Sequence, residues 1–83
     1  MRLVFRGKSV GELAKLPAKD RGFILKKLTF FINSNNALVF AERLTDFRYG
    51  DYRFRIGDYR VIFDLEKDTV VVLKIGNRRE IYK

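Results

Sequence analysis

The sequence predicts an α+β fold in which an N-terminal strand and a helical hairpin pack on one face of a small, mainly antiparallel β-sheet, in the order β-α-α-β-β-β. Three observations predict it. Apolar residues between positions 9 and 32 recur at helical spacing, interrupted by the chain's single proline, Pro17. From Tyr52 to Leu65 the period drops to two, with Gly57-Asp58 separating two alternating runs, which is a hairpin signal. A Val-rich run from Thr69 to Ile75, closed by Gly76, supplies one more strand. At 83 residues the whole chain, 1–83, is expected to form a single domain that buries about 60–65% of its unfolded surface.

The elements follow in order. Arg2-Leu3-Val4-Phe5-Arg6 is short, rich in strand formers and ends at Gly7, so an edge or near-edge strand is expected. Ser9-Val10-Gly11-Glu12 has the S-x-x-E form in which Ser caps a helix and Glu reaches back to the cap; Val10, Leu13 and Leu16 then recur every three residues. Pro17 breaks this short helix and can open the next. Ile24, Leu25, Leu28, Phe31 and Ile32 mark one apolar face of a second helix, with Lys19, Lys26 and Lys27 largely on the other side. Asn33-Ser34-Asn35-Asn36 stops it, because these side chains compete for backbone hydrogen bonds.

Residues 37–49 read as a loop. Two strands follow around Gly57-Asp58, then a turn at Glu66-Lys67-Asp68, then the Val-rich strand. The terminal Asn77-Arg78-Arg79-Glu80-Ile81-Tyr82-Lys83 reads as a bend and a short last strand. The near-repeat Gly50-Asp51-Tyr52-Arg53 and Gly57-Asp58-Tyr59-Arg60 reads as two similar entries from turn to strand, because a solenoid needs longer periods and more copies.

Composition narrows the chemistry. Eighteen Lys+Arg against ten Asp+Glu give a formal charge of +8, carried by a chain that is 47% hydrophobic and therefore able to fold. The surplus points to an anionic partner, nucleic acid first and an acidic protein second, although solubility alone also favours net charge. There is no cysteine and no histidine, which excludes disulfides, Cys or His nucleophile systems and the usual zinc sites. The chain contains no G-x-x-x-x-G-K-[ST] run and no apolar stretch of the ~18–20 residues that cross a bilayer. A cytoplasmic protein with no membrane partner is expected. Asp51, Asp58 and Asp68 fall in turns, where Asp is favoured structurally, so neither a metal site nor a cofactor is expected.

The hairpin register places the charge. A two-residue Gly57-Asp58 loop sets Ile56 opposite Tyr59, Arg55 opposite Arg60, Phe54 opposite Val61 and Arg53 opposite Ile62. A three-residue loop at Glu66 to Asp68 would pair Phe63 with Val71 and Val61 with Leu73, bringing Lys74 beside Arg60. Arg53, Arg55, Arg60 and Lys74 then share one face, away from Phe54 and Val61. Like charges directly across a sheet cost a few tenths to about 1 kcal/mol per pair. One reading is a surface of rigid guanidinium forks for phosphate; the other is that these side chains splay into solvent or pair with Asp51, Asp58 and Asp64. Arg78, Arg79 and Tyr82 form a second constellation, in which Tyr82 also fits a plain strand aromatic. Lys19, Lys26 and Lys27 form a basic helix surface, either simply solvated or in contact with RNA.

The segments Tyr52-Arg53-Phe54-Arg55-Ile56-Gly57-Asp58-Tyr59-Arg60-Val61 and Gly76-Asn77-Arg78-Arg79-Glu80-Ile81-Tyr82 together resemble the RelE/ParE superfamily of toxins from prokaryotic toxin–antitoxin pairs. The likeness extends over nearly the whole chain, with Glu12-Leu13-Ala14-Lys15-Leu16-Pro17 and the following helix resembling the family's helical hairpin. In its RelE branch the resemblance implies a metal-independent endonuclease that cuts messenger RNA in the ribosomal A site, a ribose 2′-hydroxyl attacking the adjacent phosphate to leave a cyclic phosphate. It implies that Arg53, Arg55, Arg60, Arg78 and Tyr82 line the active face. Arg60 and Arg78 would stabilise the phosphorane, and Tyr82 would be the general base, made easier to deprotonate by the arginines around it. Well-characterised ribosome-dependent members carry lysines at the positions of Arg53 and Arg55; an arginine is a poor proton donor, so Arg55 would act electrostatically or the acid would come from water or the ribosome. The implied partners are a cognate acidic antitoxin, messenger RNA, ribosomal RNA of the A site, and operator DNA only through the antitoxin complex; Lys74 and Arg79 are the expected further RNA-binding residues, and Lys19, Lys26 and Lys27 are those expected to meet ribosomal RNA. Two alternatives share the fold: a ParE-like poison of DNA gyrase and a non-catalytic RNA-binding domain.

Overall fold

The structure, a computed structural model, describes residues 1–46 and 48–82. Phe47, inside the expected loop, and Lys83, at the end of the expected last strand, lie outside the described residues. The elements are β1 (Arg2–Phe5), α1 (Lys8–Lys15), α2 (Ala18–Ile32), a 3-10 turn (Ala37–Phe40), β2 (Ala41–Arg43), β3 (Tyr52–Ile56), β4 (Tyr59–Glu66) and β5 (Thr69–Asn77). The five strands form one sheet in the order β1-β5-β4-β3-β2, in which β1 is an edge strand running parallel to β5 and the other pairs are antiparallel.

The helices cover one face. Ile24, Leu28 and Phe31 of α2 meet Phe54, Ile56, Val61, Phe63, Val70, Val72 and Ile75 of the sheet in one apolar core. Aromatic rings connect the layers, with Phe31 and Phe54 at 4.7 Å and Phe54 stacked on Phe63 at 4.3 Å between centroids. Pro17 stands at the N-cap of α2 as its fixed φ allows. Arg21 secures the hairpin by donating from Nη1 to the carbonyls of Ala14 and Leu16 at 3.3 and 3.2 Å, groups that the end of α1 leaves unpaired.

Four expectations need correction. Ser9 does not cap α1: the helix starts two residues earlier, at Lys8 with Gly7 at the N-cap, and Ser9 is buried with its hydroxyl donating to the carbonyls of Arg6 (2.8 Å) and Val72 (2.9 Å). Glu12 instead accepts from the amide of Ile75 at 2.9 Å. The S-x-x-E spacing therefore pins α1 to β5, beyond the point where the pairing of β1 with β5 ends at Val72. The stretch at 37–49 contains a 3-10 turn, capped by Asn36 accepting from Leu38 N at 3.1 Å, and the strand β2 paired with β3. Three residues are too few for an alternation signal.

The third correction concerns register. β3 and β4 pair as the two-residue loop requires, including Arg55 opposite Arg60 and Arg53 opposite Ile62. The next connection is shorter than expected: Glu66 pairs with Thr69 across Lys67-Asp68, with Lys67 at φ 58°. Phe63 thus faces Val72, and a bulge beside it leaves Ile62 opposite Lys74, Val61 opposite Ile75 and Gly76 opposite Arg60. Lys74 is not beside Arg60. Fourth, among the described residues no separate strand follows Gly76: β5 runs on through Asn77, and residues 78–82 are turns. Asn77 organises them, its carbonyl accepting from the amides of Glu80 and Ile81, both at 2.9 Å, and its side chain from the amide of Arg79 at 3.0 Å. The two Gly-Asp-Tyr-Arg entries also differ. Gly57 opens a hairpin at φ 58°, whereas Gly50 is buried at φ 147° against the sheet.

Candidate nucleic-acid face

Alternation along β3 and β4 sends Arg53, Arg55 and Arg60 to the sheet face opposite the helices. The turn after β5 closes over that face, because Gly76 leaves room there: a Cβ at Gly76 would lie 3.2 Å from Ile81 Cδ1, and Ile81 is fully buried. Seating Ile81 brings its neighbours into place. Arg78 N donates to Asp58 O at 2.8 Å, its guanidinium stands 3.9 Å from the Asp58 carboxylate, and Tyr82 reaches Arg53.

Arg53 is the hub. Its Nη1 donates to the Tyr82 phenol oxygen at 2.9 Å and its Nη2 to Glu42 Oε2 at 3.3 Å, while its buried Nε–H has no partner among the described residues. The bond to Tyr82 first, and that to Glu42 second, push the Arg53 guanidinium above its ordinary value. Glu42 also lies 3.8 Å from Arg55, and the Arg53 hydrogen bond, reinforced by the charges of Arg53, Arg55 and Arg60, holds its carboxyl below the usual range. The carboxylate that neutralises these arginines is therefore Glu42, not Asp51, Asp58 or Asp64. Asp64 accepts from Asp51 N at 2.8 Å instead, and Asp58 answers Arg78.

Arg60 is only 7% exposed, its Nη1 donating to the carbonyls of Gly57 (3.1 Å) and Tyr59 (2.8 Å). Burial, then the charges of Arg55, Arg53 and Arg78, hold it below the ordinary guanidinium value. A buried cation with three like charges around it is poised to gain from an incoming anion, since a phosphate would offset the desolvation and repulsion together.

Tyr82 is 38% exposed and packs edge-on against Tyr49, with centroids 5.0 Å apart; it is not a core aromatic. Lys74 Nζ lies 5.7 Å above the Tyr49 ring. These rings and Arg53 border an open cavity of about 470 Å³, also lined by Arg43, Leu44, Thr45 and Asp46. Arg79 is exposed on the same turn, whereas Lys19, Lys26 and Lys27 are exposed on the helical layer, away from the arginine face. Among the described residues no three acidic side chains gather as a metal site, and no helix is long and apolar enough to cross a membrane.

A family model described as the ParE toxin of the type II toxin–antitoxin system, parDE, matches residues 8–82. The chain belongs to this family. It is a toxin of the RelE/ParE superfamily that its two arginine-rich segments resemble. Toxin RelE3 of Methanocaldococcus jannaschii is 27% identical over 88 residues, spanning 99% of this chain and 96% of that protein. The fold matches a chain of the RelB-RelE antitoxin-toxin complex from Methanococcus jannaschii with a TM-score of 0.72 at 23% identity, over 95% of this chain and 94% of that one.

Two residues of the toxin's open face escaped sequence reasoning, Glu42 and Tyr49. Both lie in the 37–49 stretch whose local pattern is unreadable. The usable signal was Gly50, since a buried glycine at a strand entry marks a close approach of chain to sheet.

Proposed function

We propose that this toxin inhibits translation by cutting messenger RNA in the ribosomal A site, with Arg53, Arg55, Arg60, Arg78 and Tyr82 carrying the chemistry. The observation that supports this reading most is the 2.9 Å contact between Arg53 and the Tyr82 phenol oxygen on a face that also holds Arg55, Arg60 and Arg78. A general base needs its oxygen fixed beside the phosphate site, and a guanidinium there supplies both fixation and charge. Tyr82, in its deprotonated form, takes the proton of the ribose 2′-hydroxyl and the 2′-oxygen attacks the adjacent phosphorus. Arg60 and Arg78 stabilise the added negative charge, the bond from phosphorus to the 5′-oxygen breaks, and water protonates that oxygen. Arg53 positions Tyr82; Arg55 acts through charge alone, because guanidinium does not release a proton at neutral pH.

Lys74 and Arg79 extend the cationic face toward RNA, and Lys19, Lys26 and Lys27 offer the helical layer to ribosomal RNA. A cognate acidic antitoxin neutralises the toxin in the cytoplasm, and operator DNA is reached only through that complex. The match of the fold to an antitoxin-toxin complex supports the partner. Residues 1–83 act as one domain.

The ParE family model favours a second reading, protein-directed poisoning of DNA gyrase. Primer extension on messages from expressing cells separates the two. Stops at codon positions are expected; their absence, together with gyrase-linked DNA breaks, sinks the nuclease reading.

A further inference from the structure

We infer that the cavity between the β2–β3 connection and Tyr82 is a nucleobase subsite in which Tyr49 is the stacking platform, an inference that rests on the nuclease reading above. About 470 Å³ is within the ~300–1,000 Å³ of small-ligand sites. What distinguishes it is the company of flat groups and positive charge. Two phenol rings, Tyr49 and Tyr82, stand beside the Arg53 guanidinium, and Arg43 adds a second cation. The carboxylate on its wall, Asp46, is already answered by Arg48, which approaches it at 2.7 Å and holds it below the usual carboxylate range. A ligand that joins a π-face to an anionic backbone meets this lining; a nucleotide of single-stranded RNA does so, with its phosphate toward Arg53 and its base toward Tyr49.

The platform is preorganised. Leu44 N donates to Asp51 O at 2.9 Å, Tyr49 N to Asp46 O at 3.3 Å and Arg48 N to Asp46 Oδ1 at 3.1 Å, which closes the connection around Tyr49. Gly50 lets the chain dip onto the sheet: a Cβ there would lie 2.6 Å from Ile62 Cγ2. The Tyr49 hydroxyl donates to Tyr82 O at 3.4 Å, Lys74 sits over the ring, and the ring lines the cavity. A ring held in this way loses little freedom when a base stacks on it. The platform and the general base are thus braced against each other.

The test uses ribosomes programmed with a message in which single nucleotides flanking the cut are replaced by abasic ribonucleotides, which keep the 2′-hydroxyl and phosphate. Cleavage by the full toxin is followed as kcat and KM. At one flanking position the abasic message is expected to raise KM by about tenfold or more, a loss typical of one base–aromatic stack. Tyr49→Phe retains this sensitivity, while Tyr49→Leu raises KM on the intact message and loses most of the abasic penalty. An abasic penalty that persists in full in Tyr49→Leu overturns the subsite. So does a wild-type KM indifferent to every abasic position, a result that needs no variant to fold. Failure of the wild type to cut the intact message overturns the nuclease reading itself, and the subsite with it.

Discussion

Arg53 and Tyr82, 29 positions apart in the chain, meet at 2.9 Å on the open face of the sheet, with Glu42 on a second nitrogen, Nη2, of the same guanidinium. Arg53 is thus shared between a carboxylate that neutralises it and a phenol that it positions. The proposed chemistry depends on the second of these contacts, and the acid stability of the site on the first.

Arg60→Ala and Arg78→Ala are each expected to abolish growth arrest while the purified proteins remain folded and bind the antitoxin. Arg60 is flanked by Arg55, Arg53 and Arg78, so its removal relieves repulsion as well as deleting a cation. Growth curves, thermal melts and a pull-down with the antitoxin check this; full toxicity of both variants refutes the site assignment.

Glu42 titrates below the usual carboxylate value because Arg53 hydrogen-bonds its ionised form. Its folded value is depressed, so the contribution of this pair to stability is present above the unfolded value near 4.5 and fades as the pH falls through the folded one. A carboxyl-detected NMR titration is expected to give a Glu42 midpoint below 4.5, rising toward 4.5 in Arg53→Ala. Equal midpoints in the two proteins would show that the pair does not form in solution.

Ser9→Ala and Glu12→Ala should each destabilise the fold by about 1–3 kcal/mol, because each strips a partner from β5 backbone groups: Val72 O in the first case and Ile75 N in the second. A denaturant titration measures the loss. A mere helix cap would be replaceable by Asp at position 9; Ser9→Asp is expected to be worse than Ser9→Ala, since it buries a charge against carbonyls.

Gly50→Ala combines a left-handed φ of 147° with a 2.6 Å approach to Ile62 Cγ2. A loss of roughly 1–3 kcal/mol is expected, as for overpacked sites, with a fall in toxicity as Tyr49 is displaced. Gly11→Ala, whose Cβ meets nothing within 4 Å, is the control and should be neutral or slightly stabilising.

The legible parts of this protein were those written in local pattern. Helical spacing around Pro17, alternation on either side of Gly57-Asp58 and the Val-rich run each report on neighbours a few residues away, and the β3–β4 register with Arg55 opposite Arg60 follows from turn length alone. The S-x-x-E motif shows the limit of such reading: the spacing has a local meaning as a cap, yet both side chains reach 63 positions along the chain to β5.

From sequence alone came the fold class, the order of its main elements, the absence of histidine and cysteine chemistry, and a cationic sheet face on β3 and β4. The tertiary structure decided what completes that face. A turn one residue shorter than expected and a bulge between Ile62 and Phe63 together moved Lys74 from Arg60 to Ile62 and Tyr49, Gly76 made the seat on which Ile81 carries Tyr82 to Arg53, and pairing with β3 turned an unpatterned stretch into a strand presenting Glu42. The physical reason is range. Periodicity and turn chemistry act over a few residues, whereas these meetings depend on strand order and on a bulge in the β4–β5 register that no local preference encodes.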